Sequence, residues 1–335
     1  MCPRLLFYSS VASKKQFVSQ EYYRTDIRIL RGLGYDVRLS KHWYDFLAFW
    51  RYDLAFIYFY RFGLIPGLIA RLAGKRVFFS GGIDFLDRAV ATPTQYVVQA
   101  AFYNLCGVFS SRNIIVSDAD LRNVERVRRL FPARRQVVCK HAISDLYLEG
   151  AEARKEKLVV TIAWMGRAEN VVRKGLVEAL DFFSEMRQQD PDWRMLVIGP
   201  RGEGSKMVES RIQALGLSAH VELTGRVSEE TKVAVLNRAL VYLQLSQYEG
   251  FGIAAIEALA CRCVVVHSGA GGLAEGVGCH GVHWSSGGTL ATVEQAFELL
   301  SNGERLAQWT ARGRAHVKSA YSIATRARGF SAVMQ

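Results

Sequence analysis

Proline is scarce: there are six in 335 residues, while half of the side chains are apolar. A chain so rich in core-forming residues is not expected to be disordered. Long apolar runs are missing too. The nearest, Leu54 to Ala70, is interrupted by Arg61 and broken at Pro66, which excludes a spanning helix and leaves a buried strand, Asp53 to Tyr60, followed by a helix. The opening MCPRLLFYSS has neither the apolar core nor the cleavage site of a signal peptide and reads as a first strand. The six cysteines (Cys2, Cys106, Cys139, Cys261, Cys263, Cys279) form no CxxC pair, so reduced thiols and a cytoplasmic location are expected. Cys279, His280 and His283 lack a fourth ligand at tetrahedral spacing, so no metal site is expected. No G-x-G-x-x-G follows the first strand, which argues against a dinucleotide dehydrogenase. The absence of helix-turn-helix, RNP and zinc-finger patterns argues against nucleic acid.

What is present is basic and alternating. Residues 1 to 150 carry 22 Lys and Arg against 12 Asp and Glu, whereas residues 151 to 335 carry 21 against 19. A basic first half calls for an anionic partner, and the anionic face of a membrane or an anionic lipid-linked or polymeric acceptor suits it. The length suits two domains. In the first half, strands at Leu5 to Ser9, Asp36 to Leu39, Leu54 to Tyr60, Lys75 to Ser80 and Asn113 to Ser117 alternate with helices at Gln16 to Leu33, Leu64 to Leu72 and from Asp118. Such alternation predicts an α/β fold with a doubly wound parallel sheet. The aromatic run His42 to Arg51 is read as core packing in preference to an interfacial segment, and the run Arg122 to Arg135 as a solvated basic face. Residues 149 to 157 lose all apolar periodicity and read as a linker. The second half starts with a strand, Leu158 to Met165, and repeats the alternation through Met195 to Gly199, Val221 to Thr224 and Cys263 to His267, with a helical tail from Leu306. The domains expected are 1–150 and 151–312, with a helix at 313–335.

The most specific stretch is Glu249-Gly250-Phe251-Gly252-Ile253-Ala254-Ala255-Ile256-Glu257. It follows the strand-like run Leu240 to Ser246 and opens a helical run. Gly250 and Gly252 permit a tight turn and close approach of a ligand to the main chain. The free N–H groups and positive dipole end of the helix favour phosphate, while Glu249 and Glu257, with seven residues between them, suit paired sugar hydroxyls. Phosphate and sugar side by side suggest a nucleotide sugar. Upstream, Gly166 and Arg167 follow a strand, and Arg173-Lys174-Gly175 opens a helix. Cations at such a turn suit a diphosphate.

These residues resemble the E-x7-E signature and GR…KG pair of the retaining GT-B glycosyltransferases of glycosyltransferase family 4 (glycosyl transferases group 1), over roughly residues 158 to 330. The resemblance implies two Rossmann-like domains facing a cleft, the last helix returning to the first domain. It implies transfer of a sugar, with retention, from a nucleoside diphosphate sugar to a glycan or lipid-linked glycan acceptor, in assembly of a bacterial-type surface polysaccharide or glycoconjugate. Glu249 then lies against the donor sugar, Glu257 holds the ribose, and Arg167 and Lys174 bind the diphosphate, with Arg173 a competitor for the role of Lys174. Gly166, Gly250, Phe251, Gly252 and Ile253 border the donor, Val227 and Lys232 the base, and Glu275 matches a family glutamate. In the first half, Gly81, Gly82 and Asp84 match an acceptor-side loop, with Asp84 orienting acceptor or sugar. Neither a cofactor nor a metal is implied. The chain departs from the family in two places: Ser9 to Lys14 contains no glycine, and Gly81 stands where a histidine is usual. The alternatives are a GT-B nucleotide-sugar 2-epimerase and a non-catalytic nucleotide-sugar-binding or membrane-docking subunit.

Overall fold

The structure, a computed structural model, describes residues 2–150, 153–285 and 288–334. It divides into two compact units, Met1–Ser144 with Tyr321–Gln335, and Asp145–Ala320. The division thus falls at 144/145 and 320/321, where the sequence placed it at 150/151 and 312/313.

In chain order, the first unit holds β1 (Arg4–Tyr8), α1 (Gln16–Ser19), α2 (Glu21–Gly32), β2 (Asp36–Ser40), β3 (Leu54–Tyr58), α3 (Tyr60–Leu72), β4 (Arg76–Ser80), α4 (Pro93–Phe109), β5 (Arg112–Ile115), α5 (Asp118–Val127) and β6 (Gln136–Val138). The second holds α6 (Leu146–Glu149), β7 (Glu156–Ile162), α7 (Ala168–Arg173), α8 (Leu176–Gln189), β8 (Arg194–Ile198), α9 (Ser205–Ala214), β9 (Val221–Gly225), α10 (Glu229–Arg238), β10 (Ala239–Gln244), α11 (Ile253–Ala260), β11 (Val264–His267), α12 (Leu273–Val277), β12 (Val282–His283), α13 (Thr289–Ser301) and α14 (Gly303–Ala320). The last helix, α15 (Ile323–Met334), belongs to the first unit.

Both sheets have six strands among the described residues, all paired in parallel, in the orders β2-β1-β3-β4-β5-β6 and β12-β11-β10-β7-β8-β9. The doubly wound arrangement expected from the alternation is present twice. Because side chains alternate along a strand, each sheet buries both faces. In the first unit Leu6, Tyr8, Ile57 and Phe79 point to α3, α4 and α5, while Leu5, Phe7, Phe56 and Phe78 point to α1, α2 and α15. In the second unit Val159, Val197, Leu243 and Val266 pack with Leu180 and Phe183 of α8. The order of strands reverses between β1 and β3 in one sheet and between β7 and β10 in the other. In open α/β sheets, ligands bind beyond the carboxyl ends of the strands at such a reversal.

Several elements differ from expectation. The helix expected from Gln16 to Leu33 breaks at Gln20, whose backbone is extended. The helix expected from Leu64 starts at Tyr60 and carries Pro66 inside it. The structure adds α4, α6, α7, α12 and α13, and the strands β6 and β12. Thr92 caps α4, its hydroxyl accepting from the Gln95 N–H while the Gln95 side chain accepts from the Thr92 N–H. The aromatic run is mostly not core: it forms 3-10 turns at Trp43–Leu47 and Phe49–Arg51, with Phe46 buried but Trp43, Tyr44, Leu47, Phe49 and Trp50 about half exposed or more. No helix among the described residues is long and apolar enough to cross a membrane.

Candidate active site

The loops after β7 and β10, the two strands at the reversal point of the second sheet, together with the helices they lead into, carry most of the residues singled out above. Along and beyond β10 the alternation places Tyr242, Gln244 and Ser246 on one side, and they form a polar relay in an otherwise apolar strand. The Tyr242 hydroxyl donates to Gln244 Oε1 (2.5 Å). Gln244 Nε2 donates to Ser246 Oγ (2.8 Å) and to Glu249 Oε1 (2.9 Å). Ser246 Oγ donates to the same carboxylate oxygen (2.7 Å). From the other side Lys174 Nζ donates to Glu249 Oε1 at 2.6 Å. Glu249 is only 9% exposed. Burial by itself raises its pKa, but the charge and hydrogen bond of Lys174, the Ser246 hydroxyl and the charge of Arg173 outweigh this and hold it below the ordinary value. The carboxylate is therefore ionised and aimed by three donors.

The backbone makes this arrangement possible. Gly252 caps α11 with a left-handed φ of 84°, a conformation that glycine adopts without steric cost. Lys174 ends α7 and is followed by Gly175, where a Cβ would lie 2.0 Å from the Leu245 carbonyl oxygen; only glycine lets the α7–α8 corner press against the β10 loop. The Gln247 N–H donates to the Arg173 carbonyl (2.8 Å) across the same contact. The small-residue turn from Ser268 to Gly272 approaches the chain at Glu249 itself: the Gly272 N–H donates to the Glu249 carbonyl (2.7 Å), and a Cβ on Gly271 would lie 2.3 Å from that oxygen.

Eight residues along, Glu257 is 1% exposed on α11 and pairs with Lys232 Nζ at 2.9 Å. Lys232 also pairs with Glu229 (2.9 Å) and lies over the Tyr147 ring. Burial disfavours the ammonium, yet the charges of Glu257 and Glu229 outweigh this and raise its pKa. Lys232, which the resemblance sets beside the base, is thus also a mostly buried partner of Glu257.

The remaining positions are more open. Arg167 is exposed at the start of α7, its N–H donating to Asn170 Oδ1 (3.2 Å), and Gly166 lies beside the Trp164 ring. Val227 is half-buried just before Ser228, which caps α10, its hydroxyl accepting from the Thr231 N–H (3.1 Å). Phe251 is buried, and Ile253 opens α11. Glu275 is half-buried in the first turn of α12, which packs on α11. Asp84, Gly81 and Gly82 belong to the first unit, beyond β4. Gln244 and Ser246 were missed, although polar residues at alternate positions of an apolar strand were a usable signal. His267 was missed as well. It pairs in register with Gln244 and is buried, and its Nδ1 has no hydrogen-bond partner among the described residues. Among those residues no group of three or more His, Cys, Asp or Glu is placed to hold a metal ion.

Two parallel doubly wound units, with a glycine-capped helix and paired acids at the strand reversal of the second, define a GT-B protein. Solved structures agree: the chain superposes on Anabaena HepE in complex with UDP and glucose with a TM-score of 0.79 over 99% of both chains, at 15% identity. The sequence model "Glycosyl transferases group 1" matches residues 151–316, and through this segment the chain belongs to that family. It is 31% identical over 199 residues, 59% of this chain, to GDP-mannose:cellobiosyl-diphosphopolyprenol alpha-mannosyltransferase of Xanthomonas campestris, and 33% identical over 109 residues, 32% of this chain, to phosphatidyl-myo-inositol mannosyltransferase of Mycobacterium tuberculosis. The matched stretches span 50% and 28% of those two relatives.

Proposed function

We propose that this protein is a retaining glycosyltransferase that moves a sugar from a nucleoside diphosphate sugar to a lipid-linked or glycan acceptor, at an anionic membrane surface, in assembly of a bacterial-type surface glycan. The observation that carries the reading is the ionised Glu249, held by Lys174, Ser246 and Gln244 beside the glycine-capped start of α11. The two relatives support the acceptor class, since both are named for lipids that carry phosphate.

In this reading the donor diphosphate lies at the α11 N-terminus, where N–H groups, Lys174 and Arg167 offset the charge that grows on it as the C1–O bond breaks. Glu249 positions the sugar ring and Glu257 the ribose, with Gly166, Arg173, Val227, Lys232 and Glu275 bordering the donor. The acceptor oxygen bonds to C1 from the face the diphosphate leaves, and its proton passes to the departing phosphate oxygen. Asp84 and the Gly81-Gly82 loop serve the acceptor. With protein cations in that role, transfer is expected to persist in EDTA.

The test is transfer from GDP-mannose, UDP-glucose or ADP-glucose to a membrane lipid extract. Glu249→Ala and Lys174→Ala are each expected to lower the rate by about 10²–10³ while circular dichroism stays native-like and melting stays cooperative at a lowered temperature, since each breaks a mostly buried pair. Undiminished transfer in either variant overturns the assignment.

A further inference from the structure

We propose that a cavity in the first unit, beyond the carboxyl ends of β3 and β4, binds a prenyl or acyl chain that bears an oxygen-rich anionic head. This rests on the transferase reading and specifies its acceptor. The cavity measures about 470 Å³, and Phe59, Phe62, Phe85, Val98 and Phe102 supply its apolar wall. That size is in the range of small-molecule sites, and the surface it exposes is largely apolar, which suits a hydrocarbon chain.

The polar groups that do line it are specific. Gln99 is 9% exposed, and its Nε2 has no hydrogen-bond partner among the described residues. A buried amide donor calls for an acceptor oxygen. Arg61 adds a cation, Asp84 adds a carboxylate suited to a hydroxyl, and Thr94 and Gln95 add polar side chains at the start of α4. The wall itself is held under strain. Phe59 has φ 71°, a left-handed conformation uncommon for an aromatic residue, and Gly82 makes room for it, since a Cβ there would lie 2.3 Å from the Phe59 ring. Strain of this kind gathers at ligand clamps.

The cavity also opens along an apolar path. Phe62 and Val98 in its wall are themselves exposed and begin exposed rows on two packed helices, Ile65 and Leu72 on α3 and Leu105 and Val108 on α4. No Asp or Glu occurs from 54 to 83 or from 88 to 117. An aliphatic ligand whose far end remains in an anionic lipid surface would meet apolar side chains without acidic repulsion along its length.

The test titrates the full chain by calorimetry with farnesyl phosphate, decyl phosphate, farnesol and cellobiose, each below its micelle concentration. Saturable one-to-one binding of farnesyl or decyl phosphate is expected, the stronger of the two telling a prenyl from an acyl source, with farnesol weaker and cellobiose silent. Val98→Arg, at a partly exposed position, should weaken the phosphate probe at least tenfold, and Gln99→Leu about fivefold, the worth of one net hydrogen bond. The shift in melting temperature caused by GDP or UDP should be unchanged in both variants, which shows that they are folded. Absence of saturable phosphate-probe binding, binding undiminished by Val98→Arg, or cellobiose binding that Val98→Arg abolishes overturns the proposal. If alkyl phosphates bind as described while no nucleotide or nucleotide sugar does, the lipid site stands and the transferase reading fails.

Discussion

His267 faces the inside of the second unit, at the end of β11, with His283 beside it at a ring-centre distance of 5.8 Å. Burial, and then the charge of His283, lowers its pKa to about 4. The unfolded chain takes up that proton near 6.5, so between about 6.5 and about 4 it binds more protons than the native state. The stability contributed by the neutral ring is thus complete above that window and is lost as the pH falls through it, on the order of 3 kcal/mol in all. Unfolding free energies from urea titration at pH 7 and pH 4.5 should converge by about 2 kcal/mol in His267→Leu relative to the parent. His141 of the first unit, held well below the ordinary value by burial and by Arg326, keeps some slope in both proteins. Equal slopes in parent and variant would remove the assignment. Legibility at this scale was uneven: Glu249 and Glu257 stood out because two acids flank a glycine turn at a fixed spacing. Gln244 and Ser246 left a signal in the alternation of their own strand, whereas His267 stands out only through the neighbouring strand, which a linear reading does not show.

Among elements, α15 shows how a short helix is held. Arg326, fully buried, donates from Nε and Nη2 to the two oxygens of Asp26 on α2 (2.6 and 2.8 Å) and from Nη1 to the Cys139 and Lys140 carbonyls (both 2.7 Å). The Tyr58 hydroxyl completes the set on Asp26 Oδ2 (2.5 Å). Breaking such a pair strands a charge out of water and costs about 3–5 kcal/mol. Asp26→Asn should therefore lower the unfolding free energy from urea titration by that amount, whereas Asp26→Asn with Arg326→Met should recover part of it. Additive losses would contradict the pairing. The sequence indicated a helical tail from Leu306 but not its division into α14 and α15. α4 was not legible, because Val97, Val98, Leu105 and Val108 put apolar residues on its outer side too, which blurs the single apolar stripe that marks a surface helix. The aromatic run at 42–51 misled for a related reason, since composition reports apolar content and not which side meets water.

For the molecule as a whole, alternation of strands and helices was enough to indicate two doubly wound sheets, because each parallel pair needs a crossover. The boundaries were less legible: β7 starts at Glu156, inside the stretch read as a linker. The charge asymmetry belongs to this scale as well. Trp43, Tyr44, Phe49 and Trp50 are exposed on the basic first unit, and α3, against which their turn packs, carries exposed Arg61 and Arg71. Co-sedimentation with vesicles containing phosphatidylglycerol is expected to fall at least severalfold in 0.5 M salt and in Trp43→Ser/Trp50→Ser, with little binding to neutral vesicles. Binding indifferent to lipid charge and salt would count against a membrane-facing first unit.

Asp26 and Arg326 are 300 positions apart, and everything between Asp145 and Ala320 builds the other unit. On a ribosome, the second unit can close as soon as its own residues emerge. The first must wait with the Phe7 and Phe56 side of its sheet bare of Phe330 and Met334. The half of the protein made earliest is the half finished last, and during that interval its uncovered aromatic surface is what a chaperone, or an aggregating neighbour, would meet.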